Sequence, residues 1–190
     1  MEQTDVLRYA IDVLESLRIP YMLVGSFAGG VFGEPRFTQD IDIVIDLTES
    51  EIVSFCSAFP SPEFLVSEHA VRDAVRSRFQ FNVLHPTSGN KIDFILPRDD
   101  EYGREQLERR RRVRVLTDRE GYTASAEDVI IGKLWYHAEG GSEKHLRDIA
   151  CIVRIQRDAL DRDYVARWVD RLGFADGWRA IIARLDGEPG

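Results

Sequence analysis

Along the first twenty positions the apolar residues Val6, Ala10, Val13, Leu14 and Leu17 recur every three or four residues, as on one face of a helix, and Pro20 closes that helix from beyond its end. Tyr21 to Val24 is a short unbroken apolar run, read as a buried strand, and it leads into Gly25-Ser26. A short helix from Ser26 to about Phe32 follows, with Ser26 as its candidate N-cap. Gly29 and Gly30 are poor helix formers, so their presence implies close approach to another backbone. After a loop from Glu34 to Gln39, Ile41 to Leu47 alternates as a second strand. Ile41, Ile43 and Ile45 point to one side, and Asp40, Asp42, Val44 and Asp46 to the other.

The pattern then predicts a helix over roughly Glu49 to Ala58, capped by Thr48 or Ser50 and broken by Pro60-Ser61-Pro62. It continues with a short strand near Phe64 to Val66, a helix from Ser67 to about Val75 and a strand from Arg78 to Leu84. Ser88-Gly89-Asn90 turns the chain into Lys91 to Leu96, making a hairpin. A short helix from Tyr102, a strand late in Arg109 to Leu116 and a turn from Asp118 to Gly121 complete this half. From Ser125 onward the period is helical throughout: Ala126 to Ala138, Ser142 to Gln156, Asp161 to Leu172 and Ala175 to Leu185. Mixed elements followed by helices alone predict an α+β fold, with a mixed-sheet catalytic domain over 1–124 and a helical C-terminal domain over 125–190.

Composition narrows the class. A chain of 190 residues can bury a core, and 44% hydrophobic with 31% charged content is ordinary for a globular protein. The formal net charge of -8 disfavours a protein built to coat nucleic acid, though a local basic stretch could still grip a phosphate backbone. Cys56 and Cys151 lie far apart without metal-type spacing and read as free thiols of a reducing compartment. The N-terminus carries acids where a secretory leader carries positive charge, and no apolar run approaches the ~20 residues of a membrane span. The expected location is the cytoplasm.

Several residues can carry chemistry. Gly25-Ser26, between strand and helix, is either an ordinary capped turn or a phosphate cradle, since a helix N-terminus offers unpaired N–H groups and a positive dipole end. Asp40 and Asp42, two apart on a strand, put two carboxylates on one face about 6–7 Å apart at Cα, which suits Mg²⁺ unless the strand edge is merely solvated. Asp93 sits in the apolar strand Lys91 to Leu96, where a carboxylate is costly unless paired, metal-bound or facing a cleft. Lys133 falls on the helix side of Val129, Ile130 and His137, and Asp148 on that of Ile152 and Ile155. They are a snorkelling lysine and a cap-like acid, or else a polyphosphate-neutralising cation and the acid that orients it or an acceptor hydroxyl. Arg109 to Arg114 is a solvated face or the contact for a phosphate-rich acceptor such as RNA. His69, His85, His137 and His145 show no ligand spacing.

Together, Val24-Gly25-Ser26, Arg36-x-Thr38, Asp40-Ile41-Asp42, Asp93, Glu127-Asp128-x-x-x-x-Lys133-Leu134 and Arg147-Asp148-Ile149 resemble the nucleotidyltransferase superfamily with the DNA-polymerase-β-type palm. Within it the likeness is greatest to the AbiEii-type toxin and minimal-nucleotidyltransferase branch, over about Tyr21 to Ile155. The resemblance implies transfer of a nucleoside monophosphate from a nucleoside triphosphate to an acceptor hydroxyl on tRNA, protein or a small molecule, and a possible antitoxin partner. It implies that Gly25, Ser26, Arg36, Thr38 and Lys133 bind the nucleotide. Asp40, Asp42 and Asp93 would hold Mg²⁺, two ions in all, with Asp93 or Asp148 as base. The last motif departs from the family's pattern, since Arg147-Asp148-Ile149-Ala150-Cys151 lacks a second acid.

Two alternatives compete. Asp40-Ile41-Asp42-Ile43-Val44 fits a haloacid-dehalogenase-type phosphatase, but there the apolar strand precedes the acids and here it follows them. A non-catalytic scaffold of the same fold would have no physical need for clustered carboxylates and a facing lysine.

Overall fold

The computed structural model describes residues 1–34 and 40–187. Arg36 and Thr38 therefore lie outside the described residues.

The chain order is α1 (Gln3–Ser16), β1 (Tyr21–Leu23), α2 (Gly25–Phe32), β2 (Asp40–Ile45), α3 (Ile52–Ser57), α4 (Glu68–Ser77), β3 (Gln80–His85) and β4 (Asn90–Ile95). It continues with α5 (Glu101–Glu108), β5 (Arg111–Leu116), β6 (Arg119–Thr123), α6 (Ala126–Gly140), α7 (Glu143–Gln156), α8 (Arg162–Leu172) and α9 (Ala175–Gly187). The strands form one six-stranded mixed sheet in the order β3-β4-β2-β1-β6-β5. β2 runs parallel to β4 and β1 parallel to β6, while β1–β2, β3–β4 and β5–β6 are antiparallel. This is the expected α+β architecture.

Strand alternation sorts the apolar residues into two cores. Tyr21, Leu23, Ile41, Ile43, Ile45 and Phe94 pack with Leu7, Ile11 and Leu14 of α1 and with Phe55 of α3. Met22 and Val44 point the other way and pack with Ala28 of α2 and with Ile130, Ile131, Ile149, Ile152, Val165 and Trp168 of the C-terminal helices. The face that carries Asp42 is thus the face on which α2 and α6 lie, and this decides which helices can reach the acids.

Three local readings differ from the pattern. Strand β6 stands where only a turn is expected, because its buried positions are Gly121 and Thr123, which leave no hydrophobic alternation to read. The run Phe64 to Val66 contributes a single bridge, Leu65 to Leu84, and no strand. α2 begins one residue early, with Val24 as N-cap and no side-chain cap, so the Ser26 hydroxyl is not spent on capping.

The N-terminal half of α6 is buried nearly all round, and its N-terminus is held by a polar network. Ser125 caps the helix, accepting from the Asp128 N–H at 3.1 Å and donating to Asp128 Oδ2 at 2.7 Å. The Tyr164 hydroxyl donates to Asp128 Oδ1 at 2.8 Å. Burial pushes the Asp128 carboxyl above the usual range, against which both hydroxyls and the Arg109 charge work. Neighbouring Glu127 accepts from Asp161 N–H at 3.0 Å and from Arg109 Nη2 at 3.2 Å. Tyr164→Phe removes one donor from a buried acid, and urea unfolding is expected to show a loss of about 1–3 kcal/mol.

Candidate active site

β2 and β4 place the acids side by side. In their parallel register Asp42 lies opposite Asp93, and Asp40 opposite Lys91. Lys91, two residues before Asp93 on the same strand face, donates to Asp93 Oδ2 at 2.7 Å. From β3, Asn82 lies opposite Asp93, and with its amide turned to satisfy its neighbours the nitrogen donates to Asp93 Oδ1 at 2.9 Å. Asp93 is thereby held on both oxygens. The Asp42 carboxyl is pushed up to about 6, first by burial and then by the charges of Asp93 and Asp40.

Gly25 closes over this pair. Its φ of +63° lies in the left-handed region, and a methyl group built on it would collide with Asp42 Oδ2. Backbone strain and contact with the acid both require glycine, while the Val24 N–H donates to the Asp42 carbonyl at 3.0 Å and ties the turn to β2. One turn on, a methyl group at Gly29 would meet only the flexible end of Lys133, at 3.1 Å from Cε and 3.2 Å from Nζ. Gly25→Ala is expected to cost about 2 kcal/mol of stability, from αL strain and displacement of Asp42, and to depress any metal-dependent activity. Gly29→Ala should be milder on both counts, as thermal melts and turnover of the two variants would show.

Lys133 is buried and reaches Asp148 Oδ2 on α7 at 2.7 Å, with side-chain exposures of 6% and 15%. Gly29, Lys133 and Asp148, with Ser26, Gly30 and Arg147, line a cavity of about 290 Å³. A second cavity of about 630 Å³ between α7 and α9 shares Glu34, Arg147 and Cys151 with it. Gly25, Ser26, Asp42, Asp93, Lys133 and Asp148 thus fall along one side of the sheet, around α2. Asp40 starts β2 at the exposed edge of this group.

The arginine run lies elsewhere. It occupies the end of α5 and edge strand β5, three strands from β2. Arg109 covers the Tyr164 ring at 3.8 Å and binds Glu127, Arg110 donates to the Leu107 carbonyl at 2.7 Å, and Arg112 pairs with Glu120 at 3.2 Å. Sequence reading missed Lys91 and Asn82. Lys91 was detectable from its i, i−2 relation to Asp93, whereas Asn82 became visible only with the β3–β4 register.

Among the described residues no three His, Cys, Asp or Glu side chains are gathered closely enough to hold a metal ion by themselves. The donor set nonetheless suits Mg²⁺. It is all carboxylate oxygen, and the repulsion that raises Asp42 is the kind a hard divalent cation relieves.

The fold is of the nucleotidyltransferase type. The chain superimposes on the antibiotic-resistance factor ANT(2'')-Ia in complex with adenylyl-2''-tobramycin with a TM-score of 0.62, 15% identity and coverage of 94% of this chain and 99% of that one. The lincomycin-bound lincosamide antibiotic adenylyltransferase LnuA matches with a TM-score of 0.53, 18% identity and coverage of 78% and 95%. A nucleotidyltransferase-like protein from Paracoccidioides brasiliensis matches with a TM-score of 0.50, 20% identity and coverage of 93% and 91%. No known family pattern matches the sequence, and no curated protein matches it. No helix among the described residues is long and apolar enough to cross a membrane.

Proposed function

We propose that this protein is a Mg²⁺-dependent nucleotidyltransferase that moves a nucleoside monophosphate from a nucleoside triphosphate to the hydroxyl of a small molecule. The observation that carries the reading is the juxtaposition of Asp42 and Asp93, brought into register by β2 and β4, directly beneath the Gly25 turn. Asp42 and Asp93, with Asp40, would hold the metal, which supplies charge neutralisation for the phosphates. Gly25 leaves the turn open to a phosphate, and the Ser26 hydroxyl is available to it. Lys133, oriented by Asp148, presents a fixed cation one turn further along α2 from the Gly25–Asp42 contact, to offset the charge that develops on the leaving phosphates. Of the two candidate bases Asp93 lies nearer the reacting phosphate, beside Asp42, while Asp148 pairs with Lys133.

The acceptor is assigned from space and charge. The cavity beside Lys133 and the larger one that adjoins it have about the size of small-molecule sites, and the larger one has apolar walls at Leu146, Ala150, Ile181 and Leu185. An AbiEii-type toxin acting on tRNA would need a basic track to the acids, whereas Arg109, Arg110 and Arg112 are engaged within the protein at a distant sheet edge. The structural neighbours that carry tobramycin and lincomycin fit the small-molecule reading.

The test is incubation with Mg²⁺, each of the four triphosphates and a panel of hydroxylated antibiotics, metabolites and tRNA, followed by mass spectrometry. Nucleotidylation of a small molecule that Asp42→Ala abolishes supports the reading. Transfer to tRNA instead would move the acceptor, and equal product from Asp42→Ala would overturn the chemistry.

A further inference from the structure

α6 and α7 run antiparallel beside the acids, and their facing side chains form two successive rungs. The first is Lys133 with Asp148. The second, one turn nearer the Gly141 end, is Tyr136 with His145, whose rings stack at 26° with centroids 6.0 Å apart. Tyr136 is 49% exposed, in the C-terminal turns of α6, where the helix leaves the core. Burial first, then the charges of Asp42, Glu139 and Asp93, hold its hydroxyl above the usual phenol range, so the ring lies within the field of the acids. His145 Nδ1 is sealed from solvent with no hydrogen-bond partner among the described residues. Burial, then the Lys133 charge, depresses the imidazole's pKa.

We propose that Tyr136 and His145 form the platform on which the nucleobase of the donor triphosphate stacks. This inference rests on the transferase reading and deepens it by assigning the base-binding surface. A half-exposed flat ring backed by a second ring offers a π-face to a planar partner, and every base has such a face. Position selects the base as that partner. The phosphates are drawn to Lys133, and Tyr136, three residues on, projects from the same helix face about 4.5 Å further along the axis, a step short enough for a ribose to carry the base there.

The test uses calorimetric titration of the full chain with ATP and, separately, with inorganic tripolyphosphate, both with Mg²⁺ and without acceptor. Tripolyphosphate carries the phosphates but no base. Tyr136→Ala is expected to weaken ATP binding by about 5- to 150-fold, the range for loss of one base–aromatic stack, with tripolyphosphate affinity unchanged. Tyr136→Phe keeps the ring and should keep ATP affinity, and His145→Ala should weaken ATP alone. Parallel loss of ATP and tripolyphosphate binding in Tyr136→Ala would make the ring merely structural and overturn the platform. Unchanged ATP binding in that variant would do so as well. A wild-type protein that binds neither ligand would instead overturn the transferase reading beneath it.

Discussion

Asp42→Asn is expected to abolish nucleotidyl transfer while making the metal-free protein more stable near neutral pH. The folded protein raises the Asp42 carboxyl from 3.8 to about 6, through burial and the neighbouring acids. A group whose folded pKa is raised contributes stability that is complete below its unfolded value and is lost as pH rises through the folded one. Between roughly pH 4 and 6 the wild type therefore loses stability, up to about 3 kcal/mol for a shift of this size. The amide cannot ionise, so the variant escapes that loss. Its melting temperature should exceed that of the wild type by ~2–10 °C at pH 8 and approach or fall below it at pH 4. Mg²⁺ should raise the melting temperature of the wild type and leave the variant's unchanged. Activity should fall by about a thousandfold or more, since several kcal/mol of charge neutralisation is lost. A variant that is less stable than the wild type at pH 8 and still active would show that Asp42 is neither strained nor a ligand.

Lys133→Met should produce the opposite combination, with stability and activity lost together. Lys133 and Asp148 are nearly dry, and removing the lysine leaves the acid with less to offset its desolvation, at a cost of about 3 kcal/mol. Lys133→Met with Asp148→Leu removes both charges and fills the space with apolar atoms. Urea unfolding should recover most of the loss, because a buried pair adds little over a well-packed apolar replacement. Transfer should remain absent in the double variant, since the cation beside Gly29 is gone. Restored stability without activity separates the catalytic use of Lys133 from its structural use. Restored activity would remove Lys133 from the site.

Much of this was legible in the sequence because it rests on local periodicity. The alternation of Ile41, Ile43 and Ile45 against Asp42 and Val44 fixes which face the acid takes, and the structure puts those residues in different cores. The helical spacing of α6 places Lys133 on its inner side. What was not legible depends on register between distant segments. That Asp42 meets Asp93, that Asn82 reaches Asp93 from β3 and that Tyr136 stacks on His145 are consequences of pairing between strands or helices, which no single segment encodes. Strand β6 escaped for another reason, since its inward residues are too small to give a hydrophobic signal. The arginine run reads as a basic patch in sequence, yet three of its side chains are spent on Glu127, Glu120 and the Leu107 carbonyl.

The parallel pairing of β2 with β4 has a consequence for how the site comes into being. Asp42 and Asp93 are roughly fifty residues apart in the chain, with α3, α4 and β3 between them, so their ladder closes a long loop, whereas the β3–β4 and β5–β6 hairpins are local. The carboxylates that repel one another are kept apart until that long loop is closed. A chain still emerging during synthesis can complete the β3–β4 hairpin without that repulsion, and meets it only when β4 docks on β2.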